Sequence, residues 1–410
     1  MPSPFDWTHD ELARLEREGL RRSLVTRTSP QLASRIASSR STLLNFGSND
    51  YLALAADERL REAARRAIDE VGVGSGASPL VTGFGRYHAM LAERLAQFEH
   101  AERALLLVSG YAANVAVVTA LVGRGDLILS DARNHASIID GCRLSGAEIG
   151  IYRHGDVEHA RELLVSRSGV RRKLIITDSL FSMDGDIAPL ESLADLAEEY
   201  GAMLVVDEAH ATGVFGARGS GVVEALGLES RIAVRVGTLS KSLGSSGGFI
   251  VGPASVIDLL MSTARTFIFS TAGTEAAAAA ALKALEIVEQ EPALRASLLA
   301  MSQTFRAELR SRGFQVQCSA PATGSQKIPL PDASQIIPIV LGDPQRTMQV
   351  AQQLRERGIW VPGIRPPSVP QGQSLLRISL TSAHTSSDLD QLLSELLALL
   401  PAASRENSRS

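Results

Sequence analysis

Five short apolar runs in the middle of the chain each give way to a polar cluster, and that repeated boundary constrains the fold more than any other feature. "LLLV" runs into Ser109-Gly110-Tyr111, "LIL" into "SDARNHAS", "LIIT" into "DSLFSMDGD", "LVV" into "DEAH" and "VRV" into "GTLSKSLG". Helically spaced stretches separate them. The alternation predicts an α/β fold with a mostly parallel sheet and helices on both faces. In such open sheets ligands bind beyond the carboxyl ends of the strands, so the polar clusters should meet in one crevice.

One unit can be followed closely. Ser192 reads as a helix cap with Asp195 at the capping-box position, Leu193, Leu196, Ala197 and Tyr200 keep helical spacing, and Gly201 stops the helix before the buried strand "MLVV". Along the chain, residues 1–50 are expected to form an N-terminal helical segment and 51–285 a large ligand-binding domain. Residues 286–400 should form a smaller C-terminal α/β domain, and 401–410 a disordered tail. Residues 318–335 are rich in Pro, Ser and Gly and read as a long loop.

Composition removes several function classes. A net charge of -4 gives no basic field for a nucleic-acid backbone, so no nucleic-acid partner is expected. The two cysteines, Cys142 and Cys318, are too few for a disulfide framework or a zinc cluster, and no metal is expected. The most apolar run, residues 276–288, is broken by Lys283 and Glu286, and the N-terminal stretch carries acids throughout. A soluble, cytoplasmic protein without a membrane partner is the expectation.

"DEAH" also occurs in a helicase box, but nucleotide binding fails on the loop it needs. Ser240 stands where a Walker A motif requires a glycine before Lys241-Ser242, and Arg235 stands at the earlier glycine position. "GVGSGAS" lacks the strand that should precede a dinucleotide fingerprint. Taken singly, Asp207 reads as a helix cap or a buried hydrogen-bonding residue, His210 equally as a core or a functional histidine, and Gly110 as a tight turn or an anion site at a helix start. Together with Lys241 beside a Gly-rich turn, and with Thr238, Ser240 and Ser270-Thr271 as small hydroxyl donors, they fit pyridoxal 5′-phosphate (PLP). A lysine forms its Schiff base, a carboxylate keeps its pyridine nitrogen protonated, and a helix start with hydroxyls holds its phosphate.

At "DEAH…GTLSKSLG", "SGYAAN", "FSMDGDIAPL", "LNFGSNDYLAL", "GSGASPLVTG", "NHASIIDG", "VFGARGSG" and "LLRISLTSAH" the chain resembles the α-oxoamine synthases, PLP enzymes of fold type I. The likeness runs from about Arg21 to His384. It implies decarboxylative condensation of a small amino acid with an acyl thioester at a site shared across a homodimer. "IRPPSVPQGQSLLRISL" is most similar to a biotin-pathway branch that joins L-alanine to pimeloyl-acyl carrier protein or pimeloyl-CoA. Neighbouring branches are glycine C-acetyltransferase, 5-aminolevulinate synthase and serine palmitoyltransferase. A catalytically silent partner subunit is the alternative of another class; it would lack the lysine that is present here.

The resemblance implies these roles. Lys241 tethers the cofactor and moves protons, Asp207 pairs with the ring nitrogen, His210 bonds the phenolic oxygen, and His135 stacks on the ring and meets substrate. Gly110, Tyr111, Ser182 and Thr238 lie near the cofactor and its phosphate, and Thr271 reaches a neighbouring subunit's phosphate. Arg377 clamps the amino-acid carboxylate, while Arg21, Asn49 and Ser368 contact substrate. Pro79 and Tyr111 depart from some relatives, which carry arginine and phenylalanine there. Arg171-Arg172-Lys173 is the local basic run that an acidic carrier protein could meet.

Overall fold

The computed structural model describes residues 3–37, 42–167, 169–316 and 333–400. The loop expected over 318–335 lies outside them except for its last three residues, as do Cys318 and the tail.

A seven-stranded sheet forms the centre, in the order Arg103–Leu107, Gly248–Gly252, Val234–Thr238, Met203–Asp207, Lys173–Asp178, Leu127–Asp131, Glu148–Tyr152. Gly248–Gly252 pairs antiparallel with both neighbours, and the remaining pairs are parallel. Alternate residues enter cores on opposite faces: Leu129, Ile175 and Leu204 on one, Ile128, Leu174, Ile176 and Val205 on the other. Burial on both sides explains why these strands read as continuous apolar runs. The five runs singled out in the sequence therefore end on one edge of one sheet.

Helices cover both faces. Gly110–Leu121 is apolar nearly all round because it is buried, with Asn114 as a polar exception. Glu275–Gln290 packs on Glu58–Val71 and Arg86–Phe98. The helix after Ser182 begins earlier than its spacing predicts. It spans Leu190–Tyr200 behind Pro189 with no side-chain cap, so Ser192 sits inside the first turn and the capping-box reading fails. Gly201 ends that helix in the left-handed conformation, as expected.

The N-terminal helix Trp7–Arg17 gives way to strands Arg35–Ala37 and Thr42–Asn45. Thr42–Asn45 pairs in parallel with Ile359–Trp360, a partner more than 300 residues away that local periodicity could not reveal. A third sheet, Ile336–Gly342, Ser374–Ser379 and Gly363–Ile364, faces the strand ends of the large one across a cavity of about 640 Å³. Among the described residues no helix is long and apolar enough to cross a membrane.

Candidate active site

Asp207 is the last residue of its strand and is buried. Its Oδ1 accepts from the Ala209 amide at 2.7 Å and its Oδ2 from Asn114 Nδ2 at 2.6 Å. Three residues on, His210 is buried with Nδ1 2.7 Å from Tyr51 Oη, and its carbonyl accepts from Gln335 Nε2. Burial, followed by the charges of Lys241, Arg377 and His135, holds the His210 imidazole well below its usual pKa. It is neutral.

Lys241 follows Val234–Thr238 in a turn that Gly244 makes possible. Gly244 has φ +60°, and a Cβ there would meet the Ala55 amide at 2.5 Å, so the lysine turn lies directly on residues 54–55. Burial lowers the Lys241 amine to about 8, against the opposing pull of Asp207 and Asp178 and with Arg377 assisting. Three ionisable groups, Asp207, Asp178 and Arg377, thus act on one amine.

Arg377, on Ser374–Ser379, is buried and enters the same cluster. Its Nε donates to the Ser182 carbonyl at 2.5 Å, and Nη1 donates to Asn49 Oδ1 at 3.0 Å and Ser379 Oγ at 2.7 Å. Nη2 makes the loosest contact, 3.3 Å to Tyr51 Oη. His135, Ser182 and Ser368 line the cavity together with apolar Ile139, Val340 and Val369.

Gly110 opens Gly110–Leu121 close to Thr238: a Cβ on Gly110 would meet Thr238 Cβ at 3.4 Å. Ser109 Oγ accepts only from the Ala112 amide in this turn, so the Gly110 and Tyr111 amides donate to nothing among the described residues. Thr238 Oγ1 lies 2.8 Å from Ser240 Oγ. Two free amides beside two hydroxyls make a phosphate cradle. The Tyr111 side chain is exposed and bonds Asp140 instead.

Other expected residues stand elsewhere. Thr271 is exposed and lines a separate cavity of about 260 Å³ with Phe84, Leu239 and Ser270. Arg21 joins the corner that carries Ser368: Arg365 donates to its carbonyl at 2.7 Å, and the Ser368 amide donates to the Arg365 carbonyl at 3.1 Å. The Arg21 guanidinium itself pairs with Glu16 at 3.2 Å. In the basic run Arg171 and Arg172 share the single carboxylate of Asp126, and Lys173 Nζ donates to the Tyr200 carbonyl.

Sequence reasoning missed Tyr51, Asn114, Ser137, Asp178 and the His154 group. Of these Asp178 left a visible signal as the first residue of the polar cluster after "LIIT", and Asn114 left one as a lone amide in an otherwise apolar helix. His154 bridges Asp131 and Asp186 at 2.8 and 2.7 Å.

The family model for aminotransferase class I and II matches residues 41–396. The chain is 48% identical over 397 residues to an 8-amino-7-oxononanoate synthase of Anaeromyxobacter dehalogenans, covering 97% of this chain and 96% of that one. It is 43% identical to the one named likewise from Symbiobacterium thermophilum, covering 95% and 96%. Among solved structures it is similar to a serine palmitoyltransferase from S. paucimobilis with PLP bound, at TM-score 0.87 and 29% identity over 96% of this chain and 97% of that one. It is also similar to an 8-amino-7-oxononanoate synthase from Francisella tularensis, at TM-score 0.70 and 28% identity over 86% and 96%. The chain belongs to the aminotransferase class I and II family, and within it to the 8-amino-7-oxononanoate synthases.

Proposed function

We propose that this chain joins L-alanine to a pimeloyl thioester, carried on acyl carrier protein or coenzyme A, with loss of carbon dioxide, in biotin synthesis. One observation carries the reading: Arg377, which is tied to Asn49, Tyr51 and Ser182, and Asp207 both act on the Lys241 amine from opposite sides in charge. An amino-acid carboxylate held by Arg377 would thus lie within the field of the same amine that Asp207 faces.

PLP fits this donor set. Lys241 Nζ would tether it, Asp207 would face its ring nitrogen, His210 its phenolic oxygen, and the Gly110 and Tyr111 amides with Thr238 and Ser240 its phosphate. Bound there, the cofactor supplies an electron sink conjugated to the substrate amine. Everything else falls to the chain. Lys241, with its pKa lowered to about 8 by burial, can release and take up the alanine α-proton near neutral pH. Arg377 fixes the carboxylate as a planar fork, a task that lysine performs poorly. His135 lines the cavity where the thioester carbonyl would arrive.

The cavity lies between the large-sheet strand ends and the small sheet. This supports the division into a large domain over 51–285 and a small one over 286–400. A homodimer also belongs to this reading. Thr271 stands apart from His135, on a face where Leu80, Val81, Phe84 and Phe269 are exposed, as befits a residue that serves a neighbouring subunit.

The test is a panel of alanine, glycine and serine against pimeloyl and short acyl thioesters, with the amino ketone identified by mass. Alanine with pimeloyl should give the highest kcat/KM. A higher value for serine with a long acyl chain, or for glycine with a short one, overturns the assignment.

A further inference from the structure

Three hydrogen bonds join Asp207 to His135 through two residues with no assigned role. Asn114 Nδ2 donates to Asp207 Oδ2 at 2.6 Å and to Ser137 Oγ at 2.9 Å, and Ser137 Oγ lies 2.7 Å from His135 Nδ1. Asn114 and Ser137 are both fully enclosed, with relative exposures of 1% and 0%. Their donor directions can be worked out one after another. A carboxylate only accepts, so the Asn114 amide must turn its nitrogen toward Asp207. The second hydrogen of that nitrogen then goes to Ser137 Oγ. With that lone pair engaged, the Ser137 hydroxyl is free to donate onward to His135 Nδ1.

A second, independent contact agrees. The Ser137 amide also donates to His135 Nδ1, at 3.2 Å, so this imidazole nitrogen caps the start of its own helix, Ala136–Ser145. An amide N–H cannot accept. A proton on Nδ1 would therefore face the Ser137 amide N–H and break the cap. The other ring nitrogen, Nε2, bonds no described residue, and His135 lines the cavity. Burial and the nearby Lys241 charge also favour the neutral ring, against Asp207 and Asp140.

We infer that Asn114 and Ser137 are positioning residues that lock His135 as the neutral tautomer with its proton on Nε2, so that it meets substrate as a hydrogen-bond donor and not as a base. Its partner is the carbonyl oxygen of the acyl thioester and the negative charge that grows there during attack. The link to Asp207 makes the arrangement directional: the carboxylate that faces the cofactor sets the orientation of the amide, the amide that of the hydroxyl, and the hydroxyl that of the imidazole. The role in turnover rests on the reaction proposed above; the tautomer does not.

Nitrogen-15 NMR of the histidine-labelled holoenzyme tests it, with His135 assigned by the signal lost in H135Q. The expected wild-type spectrum has a protonated, pyrrole-type Nε2 and an unprotonated, pyridine-type Nδ1, unchanged between about pH 6 and pH 9. S137A should move His135 toward mixed tautomers and lower kcat by about tenfold, with the alanine KM held within about twofold. S137C, which keeps the side-chain volume but donates weakly, is the second variant and should fall between the two. A proton on Nδ1 in the wild type, or an S137A or S137C spectrum identical to it, overturns the inference. The expected spectrum in an enzyme that makes no amino ketone from alanine and pimeloyl thioester supports the tautomer and overturns the reaction.

Discussion

Asp178 and Asp207 are register partners at the ends of adjacent parallel strands, and both are buried. Two carboxylates so placed cannot be equivalent. Asp178 accepts from the His135 amide at 2.8 Å through Oδ2, while both oxygens of Asp207 accept from protein donors. Burial first, and Asp207 after it, drive the Asp178 carboxyl well above the usual range. Of the two, Asp178 is therefore the carboxyl that is pushed toward its neutral form, and Asp207 is the one whose two oxygens are both held by protein donors.

That asymmetry separates two otherwise similar substitutions. Asp178→Asn replaces a carboxyl that burial pushes toward its neutral form with an amide whose oxygen can still accept from His135, so kcat should stay within about threefold of wild type. Asp207→Asn removes the carboxylate proposed above to face the cofactor ring nitrogen, and exchange of the alanine α-proton should slow by at least about a hundredfold. Solvent-exchange NMR on alanine measures both. Equal losses in the two variants would mean the charge is shared and the assignment of Asp207 is wrong.

The strand ends were legible because both faces of the sheet are buried, which left each apolar run to stop abruptly where Ser109, Asp207 or Thr238 meets the crevice. Residues that act by proximity were not. Tyr51 reaches His210 across 159 positions and Asn114 reaches Asp207 across 93, and neither distance has a local period. Ser192 misled for the opposite reason. Its spacing to Asp195 matches a capping box, yet Leu190 already packs in the core and starts the helix three residues sooner. Arg21 was placed by motif alone, and its guanidinium pairs with Glu16, five residues before it, on the exposed surface.

The Lys241 amine, which burial lowers to about 8, makes cofactor capture pH-dependent in a definite direction. Only the neutral amine attacks an aldehyde. The rate at which cofactor-free protein develops its visible band on adding PLP should therefore rise from pH 6.5 and level off above about 8, where an ordinary lysine would go on rising past pH 10. Stopped-flow absorbance gives the profile. Lys241→Ala should give no such band at any pH.

Arg377→Lys asks whether the fork or merely the charge is needed. Lysine cannot donate to the Ser182 carbonyl and Asn49 together while keeping a free edge for a carboxylate. The alanine KM should rise by about tenfold or more, with the pimeloyl-thioester KM within about twofold. Steady-state kinetics with each substrate varied in turn checks the split, and a larger effect on the thioester would move the clamp to the wrong substrate.

His154 ties together the two loops that carry His135 and Ser182. Burial opposes its charge, but the bonds to Asp131 and Asp186 outweigh that and push it up to about 9. Its folded pKa therefore lies above the unfolded value of about 6.5. The stabilisation is fully present below that value, and it declines as pH rises through 9 because the folded state holds a proton that the unfolded state has already lost. His154→Gln should thus cost on the order of 2 kcal/mol at pH 6, and the gap to wild type should close above pH 9. Urea unfolding at a series of pH values gives the curve. A gap that stays constant with pH would mean that His154 contributes only its shape, such as the edge contact with the Phe181 ring at 4.5 Å.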